Sequence, residues 1–334
     1  MLQTQQDIVK DLLRGIAFSD FTFNFLVNTT GILPEFKGSL IRGSFGAELR
    51  KFCCVAPKLK TCLNCTINDV CIYAKTFESV NRETNNQKFL AHSTHIPHPF
   101  VIKDETNNKT YFVKGDELKF RFLVIGEEFI SKMPHYVYAF KNTFEKGVKG
   151  NKRITMILKS VLLNYKNKEI YNIYNDQTEI INSKYKEKYI KSDDILDDCG
   201  FSSRITIEFK TPVRIGNELK NTEIDFKTFI KAILRRLSGI AANYFDKDAK
   251  IDAQEYLKDA ENVKVIESAL EIYNWGRISR KQNYKKIDMS GLKGVIKYIG
   301  KEINKYLPLI RLGEYFHIGK WTGFGMGEYI IKEY

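Results

Sequence analysis

The segment Ile303–Gly325, INKYLPLIRLGEYFHIGKWTGFG, is matched locally by Ile130–Gly150, ISKMPHYVYAFKNTFEKGVKG. Each begins Ile-x-Lys, carries a proline in the first helical turns, continues through aromatics and ends in spaced glycines. Proline early in a helix is tolerated because the first N–H groups have no intrahelical partner. Two helices that exit into glycine turns, 173 positions apart, point to a duplicated unit.

Working outward, the same element order is predicted around each. In the first half, FTFNFLV (Phe21–Val27) alternates as a strand. FKGSLIRGSFGAELRKF (36–52) reads as a helix with Ile41, Phe45, Leu49 and Phe52 as its buried stripe. HPFVIK (98–103) and YFVKGDELKFRFLVIG (111–126) supply two strands, EFISKMPHYVYAFKNTF (128–144) a helix and KRITMILKSVLL (152–163) a closing strand. In the second half, RITIEFKTPVRI (204–215) opens with a strand, and DFKTFIKAILRRLSGIAANYF (225–245) follows as a helix with Phe226, Ile230, Ile233, Leu237 and Tyr244 inward. IYNWGRISRKQ (272–282) and GLKGVIKYIG (291–300) read as a strand pair joined by a basic loop, before the last helix and strand. Both halves are β-α-β-β-α-β, so the expected class is α+β: tandem ferredoxin-like (RRM-like) domains. The boundaries read are 1–163, a polar linker or insertion at 164–200, and 201–334.

Lys plus Arg exceed Asp plus Glu by 53 to 40, a net charge of +13. Lysine-heavy composition alone accounts for some of that. The excess is uneven, however: Arg277 to Lys305 holds two arginines and seven lysines against Asp288 and Glu302, which favours a polyanionic partner such as nucleic acid. No apolar run is long enough for a membrane span and the opening lacks a signal-peptide layout, so a cytoplasmic location is expected.

Three constellations carry chemistry. HIGKWTGFGMGEY (317–329) places Gly319, Gly323, Gly325 and Gly327 around Lys320 and Trp321, where backbone N–H groups beside a lysine form an anion nest, or a tight structural turn. His317, at the helix end, suits a phosphate neighbour or general acid, or else a helix cap. On helix 36–52, Arg42, Gly43, Gly46 and Arg50 make a basic, nearly bare face, open to phosphates or to a packed neighbour. CCVAPKLKTCLNCTINDVC holds Cys53, Cys54, Cys62, Cys65 and Cys71; a Cys-x-x-Cys knuckle with flanking thiols points to structural zinc before an iron–sulfur cluster or partial oxidation. One of Cys53 and Cys54 is then a bystander, and Cys54, Cys62, Cys65 and Cys71 are taken as the ligands. His92, His95 and His98 lie in a proline-broken connector, where a structural role for His98 outweighs a catalytic one. Nucleophile elbows, paired-carboxylate signatures and Walker motifs are absent.

GSLIRGSFGAELR, IPHPFVI, RRLSGIAANYF, WGRISRKQ…MSGLKGVIKYIG and GKWTGFGMGEY together resemble the RAMP superfamily of CRISPR-associated proteins, nearest to the endoribonuclease that processes precursor CRISPR RNA. The resemblance spans nearly the whole chain. It implies metal-independent cleavage within the repeat: the 2′-hydroxyl attacks the adjacent phosphate, giving 2′,3′-cyclic phosphate and 5′-hydroxyl ends. Zinc would then be structural. Many members place a catalytic histidine on or near the first helix of the first unit; 36–52 has none, so that assignment does not carry over. The candidates are therefore His317, Lys320 and Arg42, with Arg50 beside them and His98 as the outsider. RNA binding is expected from Arg50, the glycine loop and the basic hairpin residues Arg277, Arg280, Lys281, Lys285 and Lys286. Partners are repeat RNA and other CRISPR effector subunits, the chain being monomer or homodimer. The runner-up is a non-catalytic RNA-binding subunit of an effector complex. A zinc-dependent DNA-binding regulator has little support, because no recognition-helix pattern accompanies the cysteines.

Overall fold

A computed structural model describes residues 4–59, 61–78, 96–165, 168–197, 200–216, 219, 222–247, 250–279 and 285–333. The chain divides into two compact units: one runs from Ala17 to Ile190, and the other joins the first sixteen residues to Lys191–Tyr334. Helix α1 (Gln5–Leu13), for which the sequence reading names no element, therefore belongs with the second half. Thr4 and Asp7 close its N-terminus as a capping box.

The first unit is built on β1 (Ala17–Val27), α2 (Gly38–Cys53), β2 (Phe100–Asp104), β3 (Glu117–Ile125), α3 (Met133–Lys146) and β4 (Met156–Tyr165). These run β2-β3-β1-β4 across an antiparallel sheet, the ferredoxin-like order, and β5 (Lys168–Asn175) extends the β4 edge. The expected linker at 164–200 thus contains a sheet strand. Phe23 and Phe25 of β1 sit opposite Phe120 and Leu118 of β3. Phe45 of α2 stacks on Phe140 of α3 at 4.4 Å and meets Phe122 edge-on at 5.5 Å, so the two helices share one aromatic core on the sheet. Pro134 lies in the first turn of α3, as read from the sequence.

The helix stripe differs at one position. Ile41, Phe45 and Leu49 are fully buried, but Phe52 is 49% exposed. It sits in the last turn of α2, past the aromatic core, and meets Tyr138 and His135 instead.

The second unit repeats the plan with β6 (Arg204–Val213), α4 (Phe226–Tyr244), β7 (Lys264–Tyr273), β10 (Gly291–Ile299), α5 (Ile303–Phe316) and β11 (Tyr329–Glu333), in sheet order β7-β10-β6-β11. Between β7 and β10 stands a separate hairpin, β8 (Gly276–Ser279) with β9 (Lys285–Asp288). The strand paired with β10 therefore starts at Lys264, and 272–282 covers only its end and the first hairpin strand. β7 is a mostly exposed edge strand, so it carries little of the alternation that reveals a half-buried one. Phe229 of α4 packs on Phe209 and Tyr329, and the Tyr298 hydroxyl donates to the Ile224 carbonyl at 2.8 Å. Among the described residues, no helix is long and apolar enough to cross a membrane.

Candidate active site and nucleic-acid interface

Arg42 and His98, 56 positions apart, come together in the first unit. The Arg42 Nη2 lies 2.8 Å from His98 Nε2. A guanidinium only donates, so Nε2 is the acceptor and the neutral ring carries its proton on Nδ1. Phe77, in the short helical turn Ala74–Glu78, forms the shelf beneath them. Its ring lies 4.3 Å from the Arg42 guanidinium carbon and 6.1 Å from the His98 ring, and His98 stacks in turn on Phe100 at 5.4 Å. Both Arg42 and His98 are half-buried.

The two glycines of α2 serve different ends. A methyl group on Gly46 would stand 2.2 Å from the Phe77 ring, so packing against a neighbour explains this glycine. Gly43 is exposed, with nothing within 4 Å of its missing side chain, and leaves the helix open beside Arg42. Arg50 is turned elsewhere: it donates to the Leu59 carbonyl at 2.6 Å and lies over Tyr73 at 5.9 Å, within the cysteine-rich segment. No described residue from Cys53 to Cys71 is buried, and its five thiols are half-exposed. Partial burial pushes the Cys53 thiol up to about 11, with Cys71 and Cys54 adding to it; the same two raise Cys62 after partial burial and Glu78. Cys54 and Cys71 thus act on both Cys53 and Cys62, although among the described residues no three His, Cys, Asp or Glu side chains converge as a ready-made metal site.

In the second unit the glycine loop is stapled to the end of β6. The Ile318 N–H donates to Gly327, Gly327 to Pro212 and Lys320 to Arg214, at 3.1, 3.0 and 2.9 Å. A methyl on Gly327 would lie 1.8 Å from the Ile318 carbonyl oxygen, and one on Gly319 would lie 2.5 Å from that of Arg214. These glycines answer to close backbone approach within the loop. Gly323, Gly325 and Gly327 are buried, so the surface the loop presents is Gly319 with the half-buried Lys320 and Trp321. His317 is wholly buried; its Nδ1–H donates to the Met326 carbonyl at 3.2 Å, and its backbone adopts φ 58°. The imidazole is a brace inside the loop rather than a group on its surface.

Cations gather around that surface. Arg214, which the sequence reading passes over, donates to Asp288 at 2.9 Å and lies over Trp321 at 5.7 Å. Arg277 lies over Phe324 at 4.8 Å, tying the basic hairpin to the glycine loop, and burial lowers its pKa. Lys320 is also lowered, by burial first and then by Arg214 and the exposed Arg235. Like charges held this close favour a bound anion, Asp288 offsetting only Arg214. Lys285 and Lys286 lie on β9, whereas Arg280, Lys281, His92 and His95 fall outside the described residues.

Residues 16–186, just over half of the chain, match the family model AF_1859_N, described as an N-terminal domain, and residues 207–329 match that of the CRISPR-associated endoribonuclease Cas6. No curated protein sequence matches. A chain in a partial Cas6-RT-Cas1–Cas2 complex superposes with TM-score 0.57 at 12% identity over 96% of this chain, which spans 47% of the length of that one. A Cas6 product complex superposes with TM-score 0.54 at 14% identity, covering 95% of this chain and 99% of that one. Cas6 from Thermus thermophilus does so with TM-score 0.52 at 10% identity, over 95% and 99%. At such identities the likeness is one of fold.

Proposed function

The chain belongs to the AF_1859_N family, and from that premise we propose that it is a CRISPR-associated RNA-processing protein of RAMP fold, an endoribonuclease cleaving precursor CRISPR RNA within the repeat. The observation that carries the reading is the Arg42–His98 pair on its Phe77 shelf. In the resting site Arg42 occupies the Nε2 lone pair. A scissile phosphate draws the guanidinium to itself, and Nε2 is released to take the 2′-hydroxyl proton. The 2′-oxygen then attacks phosphorus, the bond to the 5′-oxygen breaks, and Arg42 neutralises the charge that builds on the phosphorane. The products are a 2′,3′-cyclic phosphate and, once the leaving oxygen gains a proton, a 5′-hydroxyl. None of these steps calls on a metal.

Lys320, Arg214, Arg277 and the Gly319 backbone bind RNA phosphates in this reading, and His317 acts by holding the loop that presents them. Structural zinc is assigned to Cys54, Cys62, Cys65 and Cys71. What supports this is the electrostatic coupling of Cys54 and Cys71 to Cys62, the Cys-x-x-Cys spacing of Cys62 and Cys65, and a segment with no buried residue among those described, so a cross-link would replace the core it lacks. Other CRISPR effector subunits are the expected protein partners.

Labelled repeat RNA incubated with the protein in EDTA tests the enzyme reading. Cleavage to a cyclic phosphate is expected; tight binding with the RNA intact would replace it with that of a binding subunit. His98→Ala is expected to slow single-turnover cleavage about 100-fold or more while RNA affinity holds within a few-fold. His317→Ala is expected to weaken loop stability and RNA affinity instead. A His98→Ala protein cleaving at the parental rate would remove the pair from the mechanism.

A further inference from the structure

Phe52 departs from the buried stripe of α2 and lies in a ring cluster with Tyr138 and His135 of α3. Phe52 and Tyr138 have centroids 4.8 Å apart and planes inclined at 39°; Phe52 and His135 are 5.8 Å apart. Phe52 is 49% and Tyr138 47% exposed, so two large ring surfaces face solvent side by side. The His135 imidazole is held neutral, its pKa lowered by burial and then by Lys132. Its ring, half-buried against Phe52, forms an aromatic wall. Lys132, just before α3, lies near enough to His135 to lower its pKa, and Lys51 precedes Phe52 on α2.

Water-exposed aromatic faces in contact with one another, beside lysines, match a nucleobase attached to a phosphate backbone. A base offers a flat π-face to the rings and its phosphates reach the flanking cations, as in single-stranded RNA recognition. A protein partner would gain from the rings but would bring the lysines no polyanion, and the net charge of +13 favours the nucleic acid.

We infer that Phe52 and Tyr138, backed by His135, form a stacking platform for an unpaired base of the RNA. This rests on the RNA-processing reading, and the test separates the two. Binding is measured for a repeat stem with an unpaired tail and for the blunt stem, using the parental protein, Phe52→Leu, Phe52→Trp and Tyr138→Ala. Half-exposed side chains leave the fold intact, which circular dichroism checks. Phe52→Leu and Tyr138→Ala are expected to weaken the tailed RNA at least about fivefold and the blunt stem little, and Phe52→Trp to retain affinity. Because the rings are uncharged, the slope of log affinity against log salt stays the same, whereas Lys132→Ala lowers it by about one. Equal affinities of the parental protein and Phe52→Leu for the tailed RNA would overturn the platform. A parental protein that binds neither RNA would overturn the RNA reading itself. Phe52→Leu binding as tightly as Phe52→Trp would show a merely apolar contact and reject stacking.

Discussion

Replacing Gly46 by alanine tests whether the shelf beneath Arg42 and His98 is needed for chemistry. The new methyl would stand 2.2, 2.3 and 2.7 Å from three atoms at the tip of the Phe77 ring. Favourable carbon contacts lie at about 3.5–4.0 Å, so the ring must retreat by roughly 1.5 Å. Overpacking of this kind costs about 1–3 kcal/mol. Alanine in place of a helical glycine returns about 1 kcal/mol, leaving a net loss between roughly zero and about 2 kcal/mol. The ring tip is the part free to yield, so the damage is expected at the site more than in global stability. Arg42 and His98 both rest against Phe77 and should follow it, and a displacement of about 1 Å costs on the order of 100-fold in rate. Gly43→Ala is the control on the same helix: its methyl meets nothing within 4 Å, so it should gain about 1 kcal/mol and cleave normally. Urea unfolding and single-turnover cleavage of repeat RNA read both quantities. Gly46→Ala cleaving like Gly43→Ala would show that the Phe77 shelf does not position the pair.

Two further outcomes are expected. Elemental analysis of the purified protein should find about one zinc per chain, and Cys62→Ser with Cys65→Ser should abolish it; a folded parental protein without metal would refute the cysteine assignment. Hydrogen bonds from the Ser290 side chain and backbone, then Arg214, hold the Asp288 carboxyl down to about 2. A depressed carboxyl stabilises the fold above its ordinary pKa near 3.8 and loses that contribution as pH falls towards about 2. The hairpin–loop contact should therefore persist to pH 4 and loosen between about 4 and 2, as followed by Trp321 fluorescence, with Asp288→Asn already loosened at pH 4. An identical pH profile for the two proteins would refute it.

Both ferredoxin-like units were legible in the sequence because their signals are local. Phe21, Phe23 and Phe25 alternate as a strand facing a core must, and Ile41, Phe45 and Leu49 recur at the helical period. The glycine loop was legible as an element, but not its reason: Gly319 and Gly327 are needed where the loop meets the backbone of Arg214 and Ile318. Edge strands β5 and β7 were missed: β7 is mostly exposed and lacks clear alternation, and β5 lies in a polar, Tyr- and Lys-rich stretch. Sequence alone named Arg42 and His98 as separate, competing candidates and turned Phe52 inward. Only the tertiary structure decided that Arg42 and His98 are one pair, and that Phe52 faces water beside Tyr138. Periodicity records which face of an element avoids solvent; it carries no information about which distant side chain completes that face, because that depends on how helix and loop pack across the chain.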